Sequence, residues 1–136
     1  VTGRAGDARH RARERALEIL YEASIKQVPP HEVVAALPST PDEFVVGLVA
    51  NAEQHRDQAE EAIRTAATDW PLERLAIIDR LVMVLAIGEL LGEDPPPDAV
   101  VLDEAVELAK TFSTDASPRF VNGVLAAVLP TLARGG

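Results

Sequence analysis

The chain has 136 residues, carries a net charge of −9 and contains no cysteine. That length suits one domain burying roughly two-thirds of its unfolded surface, and without cysteine there are neither disulfides nor thiolate chemistry, which fits a reducing, cytoplasmic setting. No apolar run approaches the roughly 18 residues of a membrane span and no secretory signal pattern opens the chain, so a soluble protein is expected.

Acidity on this scale argues against binding a polyanion, but the charge is polarised. Residues 1–15 hold Arg4, Arg9, Arg11, Arg13 and Arg15 against only Asp7 and Glu14, a basic edge on an acidic body. Aromatic residues make up only 4%, and the valines and isoleucines fall at helical rather than alternating spacing. The expected fold is therefore all-α, a compact bundle in a single domain over residues 1–136, with 1–7 as a flexible basic arm.

The first helix is predicted from about Ala8 to Gln27, with Leu17, Leu20, Tyr21 and Ser24 on one face. At 100° per residue Arg9 aligns with Arg13 and Arg11 with Arg15. Positive charge at a helix N-terminus opposes the macrodipole, so something other than helix stability favours it. Val28, Pro29 and Pro30 end this helix, and a short helical piece runs from about His31 to Leu37. Thr40 as N-cap and Pro41 at the first helical position signal a second long helix to about Ala67, lined by Phe44, Leu48, Ala52, His55, Ala59 and Ile63.

After Trp70 and Pro71, residues Leu75 to Leu91 are apolar nearly all round, which predicts a central helix covered by its neighbours. Gly92 is expected at its C′ position and Pro95, Pro96 and Pro97 as a stiff connector. Asp98 should cap the next helix, with Val101, Ala105, Leu108 and Phe112 as its buried stripe. A polar corner, Ser113 to Ser117, leads into a last helix capped by Ser117 before Pro118, with Val121, Val124, Leu125 and Val128 inward. Gly123 inside that helix suggests close approach of a neighbouring backbone.

No arrangement of His10, His31 and His55, no ligand-spaced carboxylates and no phosphate loop supports catalysis. Neither an enzyme nor a cofactor is expected. The arginine cluster reads either as a solubilising terminus or as a phosphate-binding helix end, since guanidinium groups pair with phosphates bidentately and stack on bases. Tyr21 reads as core with a hydroxyl able to reach a partner, and Phe120 as core or as a stacking platform.

Three segments carry a resemblance. Arg9-His10-Arg11-Ala12-Arg13-Glu14, followed by Ala16, Leu17, Leu20 and Tyr21, resembles the RRRARExAxxxLY opening of NusB proteins. The run Asp103 to Lys110 and the run Arg119 to Leu125 resemble that family's NEAIELAK and KFVNGVL segments. The likeness spans nearly the whole chain. It implies a bundle of about six to seven helices in two halves that binds boxA RNA of ribosomal RNA operons together with ribosomal protein NusE, in an antitermination complex with RNA polymerase. It further implies RNA contacts at Arg9, His10, Arg11, Arg13, Tyr21, Arg119 and Phe120, and NusE contacts at Glu73 and Asp79. Family members occur as monomers or dimers, so a homodimer is open.

The corner from Asp115 to Phe120 is then expected to form a second wall of the RNA site beside the arginine helix. Departures from the family are His10 within the arginine run, Ala116 at a corner position often acidic, and Gly88 in place of an aromatic residue, which implies a hollow or looser partner surface. The alternative is a helical interaction module that binds NusE or another partner with little RNA affinity.

Overall fold

A computed structural model describes residues 3–134, with side chains from Gly6 onward. Among the described residues there are seven α-helices and no strand: α1 (Gly3–Lys26), α2 (Pro30–Ala35), α3 (Glu43–Gln54), α4 (Arg56–Ala66), α5 (Ile77–Leu91), α6 (Asp98–Phe112) and α7 (Ser117–Val128). Short 3-10 turns, Leu72–Arg74 and Leu129–Thr131, precede α5 and follow α7. No described helix is long and apolar enough to cross a membrane.

Helix α5 is the axis. From Leu81 to Leu90 every residue is buried, because α1, α3, α4, α6 and α7 all pack against it, as its lack of a polar face requires. Gly88 makes the closest contact. A Cβ there would lie 2.8 Å from Ala52 Cα, so α3 and α5 meet backbone to backbone and the anticipated hollow is absent. Gly123, by contrast, has nothing within 4 Å of a built Cβ. The close approach expected at Gly123 occurs at Gly88.

Other boundaries shift for physical reasons. Helix α1 begins at Gly3 and not Ala8, so residues 3–7 of the expected arm are helical, while Val1 and Thr2 lie outside the described residues. The long helix expected to Ala67 is two helices, broken where His55 (φ −103°, ψ 14°) leaves helical geometry. No local breaker marks the site. The bend lets α3 pack on α1 and α5 while α4 turns to α5 and α7. Asp42, not Thr40, caps α3, its carboxylate accepting from the Phe44 N–H at 2.7 Å.

Gly92 is the C-cap of α5, in extended backbone (φ −75°, ψ 179°), and not its C′ residue. Asp98 is the first residue of α6 and not its cap, with Pro97 before it; its carboxylate instead accepts two hydrogen bonds from Arg134, at 2.8 and 3.1 Å. Ser117 likewise opens α7 behind Ala116 and is buried, its hydroxyl turned back into the corner. Phe112, expected in the core, is 39% exposed at the end of α6, and His55 is half-buried.

Candidate nucleic-acid interface

Ala8, Arg9, Arg11, Ala12 and Arg15 of α1 and Pro41, Asp42, Phe44 and Val45 at the start of α3 line a groove of about 510 Å³. Arg9, Arg11 and Arg15 are exposed, and Arg15 makes a surface pair with Glu18 at 3.2 Å, an interaction worth little. The guanidinium of Arg9 lies 5.3 Å from the centre of the Phe44 ring, within cation–π range. Phe44 is therefore part of the site. The sequence reading placed it in a core stripe, and nothing local to it reveals that α1 would lay arginines across its face.

Arg13 does something else. It is 3% exposed, with its guanidinium 5.5 Å from the centre of the Phe44 ring and bound in a fork by Glu89, Nε to Oε1 at 2.9 Å and Nη2 to Oε2 at 2.6 Å. Burial is the largest single influence and opposes the charge, but the Glu89 hydrogen bonds together with the negative charges of Glu89 and Glu104 outweigh it and hold the Arg13 pKa above its ordinary value. The geometry makes Arg13 a positioning residue that fixes the N-terminal part of α1 to the end of α5. His10 is half-buried, its Nδ1 2.7 Å from Glu104 Oε2 on α6 and its Nε2 3.4 Å from Glu14.

The corner residues sit elsewhere. Arg119 is exposed and Phe120 half-buried, and Phe120 joins Trp70, Arg74, Leu75, Ala76, Asp79, Thr114, Ala116 and Ser117 around a pocket of about 230 Å³. Asp79 is 7% exposed and accepts a hydrogen bond from Ser113 at 2.6 Å. Glu73, one of the two acidic residues singled out as partner contacts, is exposed on the turn before α5. Tyr21 is 39% exposed and shares a cleft with Leu17, Glu18, Ile78 and Phe112.

Arginine groove and corner thus do not share a pocket. Glu89 and Asp79 are ten residues apart on α5, about 15 Å along the axis. Helix α1 runs antiparallel to α5, since Arg13 meets Glu89 while Tyr21 lies beside Ile78 near the opposite end. The arginine groove therefore lies toward the Glu89 end of α5, and Tyr21 and Phe120 lie in separate clefts toward its other end. Such spacing suits an extended strand, not a compact ligand.

Residues 10–130 match the sequence profile of the NusB family. The chain belongs to the NusB family. It is 44% identical to the transcription antitermination protein NusB of Streptomyces griseus, covering 88% of this chain and 90% of that protein, and 46% identical to its counterpart in Acidothermus cellulolyticus, covering 89% and 86%. Among solved structures it resembles T. maritima NusB, with a TM-score of 0.80 at 26% identity over 90% of each chain. It also resembles a chain in a crystal structure of the antitermination factors NusB and NusE in complex with dsRNA, with a TM-score of 0.75 at 26% identity over 91% of this chain and 98% of that one. As a NusB-family member the chain is a binding protein and not an enzyme.

Proposed function

We propose that this protein is a transcription antitermination factor that binds the boxA segment of ribosomal RNA together with NusE. The observation that carries this is the groove itself. In a chain of net charge −9, exposed Arg9, Arg11 and Arg15 converge on one groove with Phe44, a combination that neutralises phosphates and offers a stacking face. Its sequence relatives are named transcription antitermination proteins, and one of its structural neighbours belongs to a complex of NusB and NusE with dsRNA, which supports the same reading. Arg119 and Phe120 extend the RNA surface, Tyr21 adds a partly exposed aromatic face toward the same end of α5, and Glu73 is the acidic residue open to NusE.

The test is a titration of labelled boxA RNA, with and without NusE. Replacing Arg9, Arg11 and Arg15 together with Ala should weaken binding by tenfold or more and flatten its salt dependence, because each lost phosphate contact removes released counterions, while helicity stays unchanged. Normal binding by that triple variant would sink the mechanism. NusE binding with no boxA enhancement would favour the interaction-module alternative. Its remaining support is Ala116, since Gly88 leaves no hollow.

A further inference from the structure

The corner between α6 and α7 contains a directed chain of hydrogen bonds. A carboxylate only accepts, so the Ser113 hydroxyl donates to Asp79 Oδ1 at 2.6 Å. Its proton used, Ser113 Oγ accepts from Ser117 Oγ at 2.9 Å. Ser117 Oγ in turn accepts from the Thr114 hydroxyl at 2.8 Å and the Thr114 N–H at 3.1 Å. All three hydroxyl protons run inward toward Asp79. The corner therefore turns no hydroxyl donor to the pocket beside it.

Asp79 lines that pocket although it is 93% enclosed, at 7% exposure, and its Oδ2 accepts no hydrogen bond from the described residues. Two aromatic side chains flank it: Phe120, half-buried, and Trp70, which is 54% exposed. Arg74 is exposed and forms no ion pair among the described residues. A buried acceptor, aromatic walls and a free cation call for a flat, donor-bearing ring attached to a negative charge. A basic side chain from a protein partner would satisfy Asp79, but Arg74 repels it.

We propose that this pocket holds one base of the bound RNA strand and that the base is guanine. Guanine alone among the four presents two adjacent donors, N1–H and the N2 amino group, on its Watson–Crick edge, which matches an acceptor-only floor. Uracil would set carbonyl oxygens against the carboxylate. Trp70 supplies a stacking face and Arg74 meets a flanking phosphate. The inference rests on the RNA-binding reading above, and it assigns Asp79 to RNA where the family resemblance pointed to NusE.

Trp70 is the only tryptophan in the chain, so its emission reports on this pocket alone. Short labelled single-stranded RNAs carrying guanine, inosine, adenine or uracil at each position would be titrated in the presence of NusE, reading anisotropy for binding and tryptophan emission at 295 nm excitation, with a tryptophan-free NusE. Guanine at one position should quench Trp70, and inosine there, lacking the N2 amino group, should bind several-fold more weakly. Trp70→Ala should cost about tenfold in affinity, Trp70→Phe should retain most of it, and Asp79→Asn should level the difference between guanine and inosine.

RNA binding with no base-dependent change in Trp70 emission, and with Trp70→Ala equal to wild type, would overturn the pocket while leaving the RNA-binding reading intact. Quenching by NusE alone, with Trp70→Ala impaired only in NusE binding, would give the pocket to the protein partner and overturn the proposal. Equal quenching by guanosine monophosphate would replace the strand with a free nucleotide and overturn it too. Failure of every RNA to bind would remove both readings.

Discussion

Helix α5 carries a buried carboxylate near each end, and the two are held in opposite ways. Glu89 is neutralised by Arg13, which spends both of its oxygens in a fork, whereas Asp79 is held by a single serine hydroxyl and keeps an oxygen uncommitted. A neutralised carboxylate is a structural fastener. One held by a neutral donor retains its charge for something else, and that separates the end of the bundle that anchors α1 from the end that lines a pocket.

The contrast breaks most visibly at the fastened end. Removing one partner of a buried ion pair strands the other charge, so Arg13→Ala or Glu89→Ala should each lower stability by about 3–5 kcal/mol in urea denaturation. Arg13→Met with Glu89→Leu should restore most of that loss, because an apolar pair avoids the desolvation cost. If either single variant were as stable as wild type, Arg13 would not be fastening α1 and would be better counted with the free arginines of the groove.

At the other end the expected loss is smaller. Ser113→Ala removes one hydrogen bond to a charged group and orphans the Ser117 proton, which should cost about 1–3 kcal/mol by the same measurement. RNA affinity contributed by Arg9, Arg11 and Arg15 should not change, since that groove lies at the far end of α5. A loss at Ser113 as large as at Arg13 would mean that Asp79 is a fastener like Glu89, and the distinction between the ends would collapse.

Much of this was legible in the sequence where the signal is local or periodic. The all-round apolar run of α5 announced a buried axis, and the arginine spacing on α1 placed Arg11 and Arg15 on a common ridge. What was not legible depends on partners distant in sequence. Spacing on α1 could not say that Arg13 would turn inward to a glutamate 76 residues away, nor that Phe44 would lie under the guanidinium of Arg9. Glycine carried the same ambiguity: Gly88 and Gly123 are both helical, and only the position of Ala52 decides which one a side chain would disrupt. The corner misled for a related reason, because Ser117 has the look of a cap and its hydroxyl is instead drawn into a chain ending on α5.

The smallest expected effect lies at His10, where the fastened end acquires a dependence on pH. Its imidazole is bounded by Glu14 on its own helix and by Glu104 and Glu107 on α6, with Arg13 3.9 Å from Glu104 beyond it. The hydrogen bond to Glu104 raises the His10 pKa above 6.5, against a smaller opposing effect of burial and with further help from the charges of Glu104, Glu14 and Glu107. A histidine whose folded pKa is raised stabilises the fold fully below its unfolded value and loses that contribution as pH climbs through the folded value. Wild type should therefore exceed His10→Gln in thermal midpoint below about pH 6.5, and the gap should close as the solution becomes alkaline. Arg13 does not titrate over that range, so the deficit of Arg13→Ala should stay level while that of His10→Gln fades. A His10→Gln deficit that did not change with pH would show that the imidazole contributes by packing and neutral hydrogen bonding, leaving Arg13, among the described residues, as the sole charged link between α1 and the carboxylates of α5 and α6.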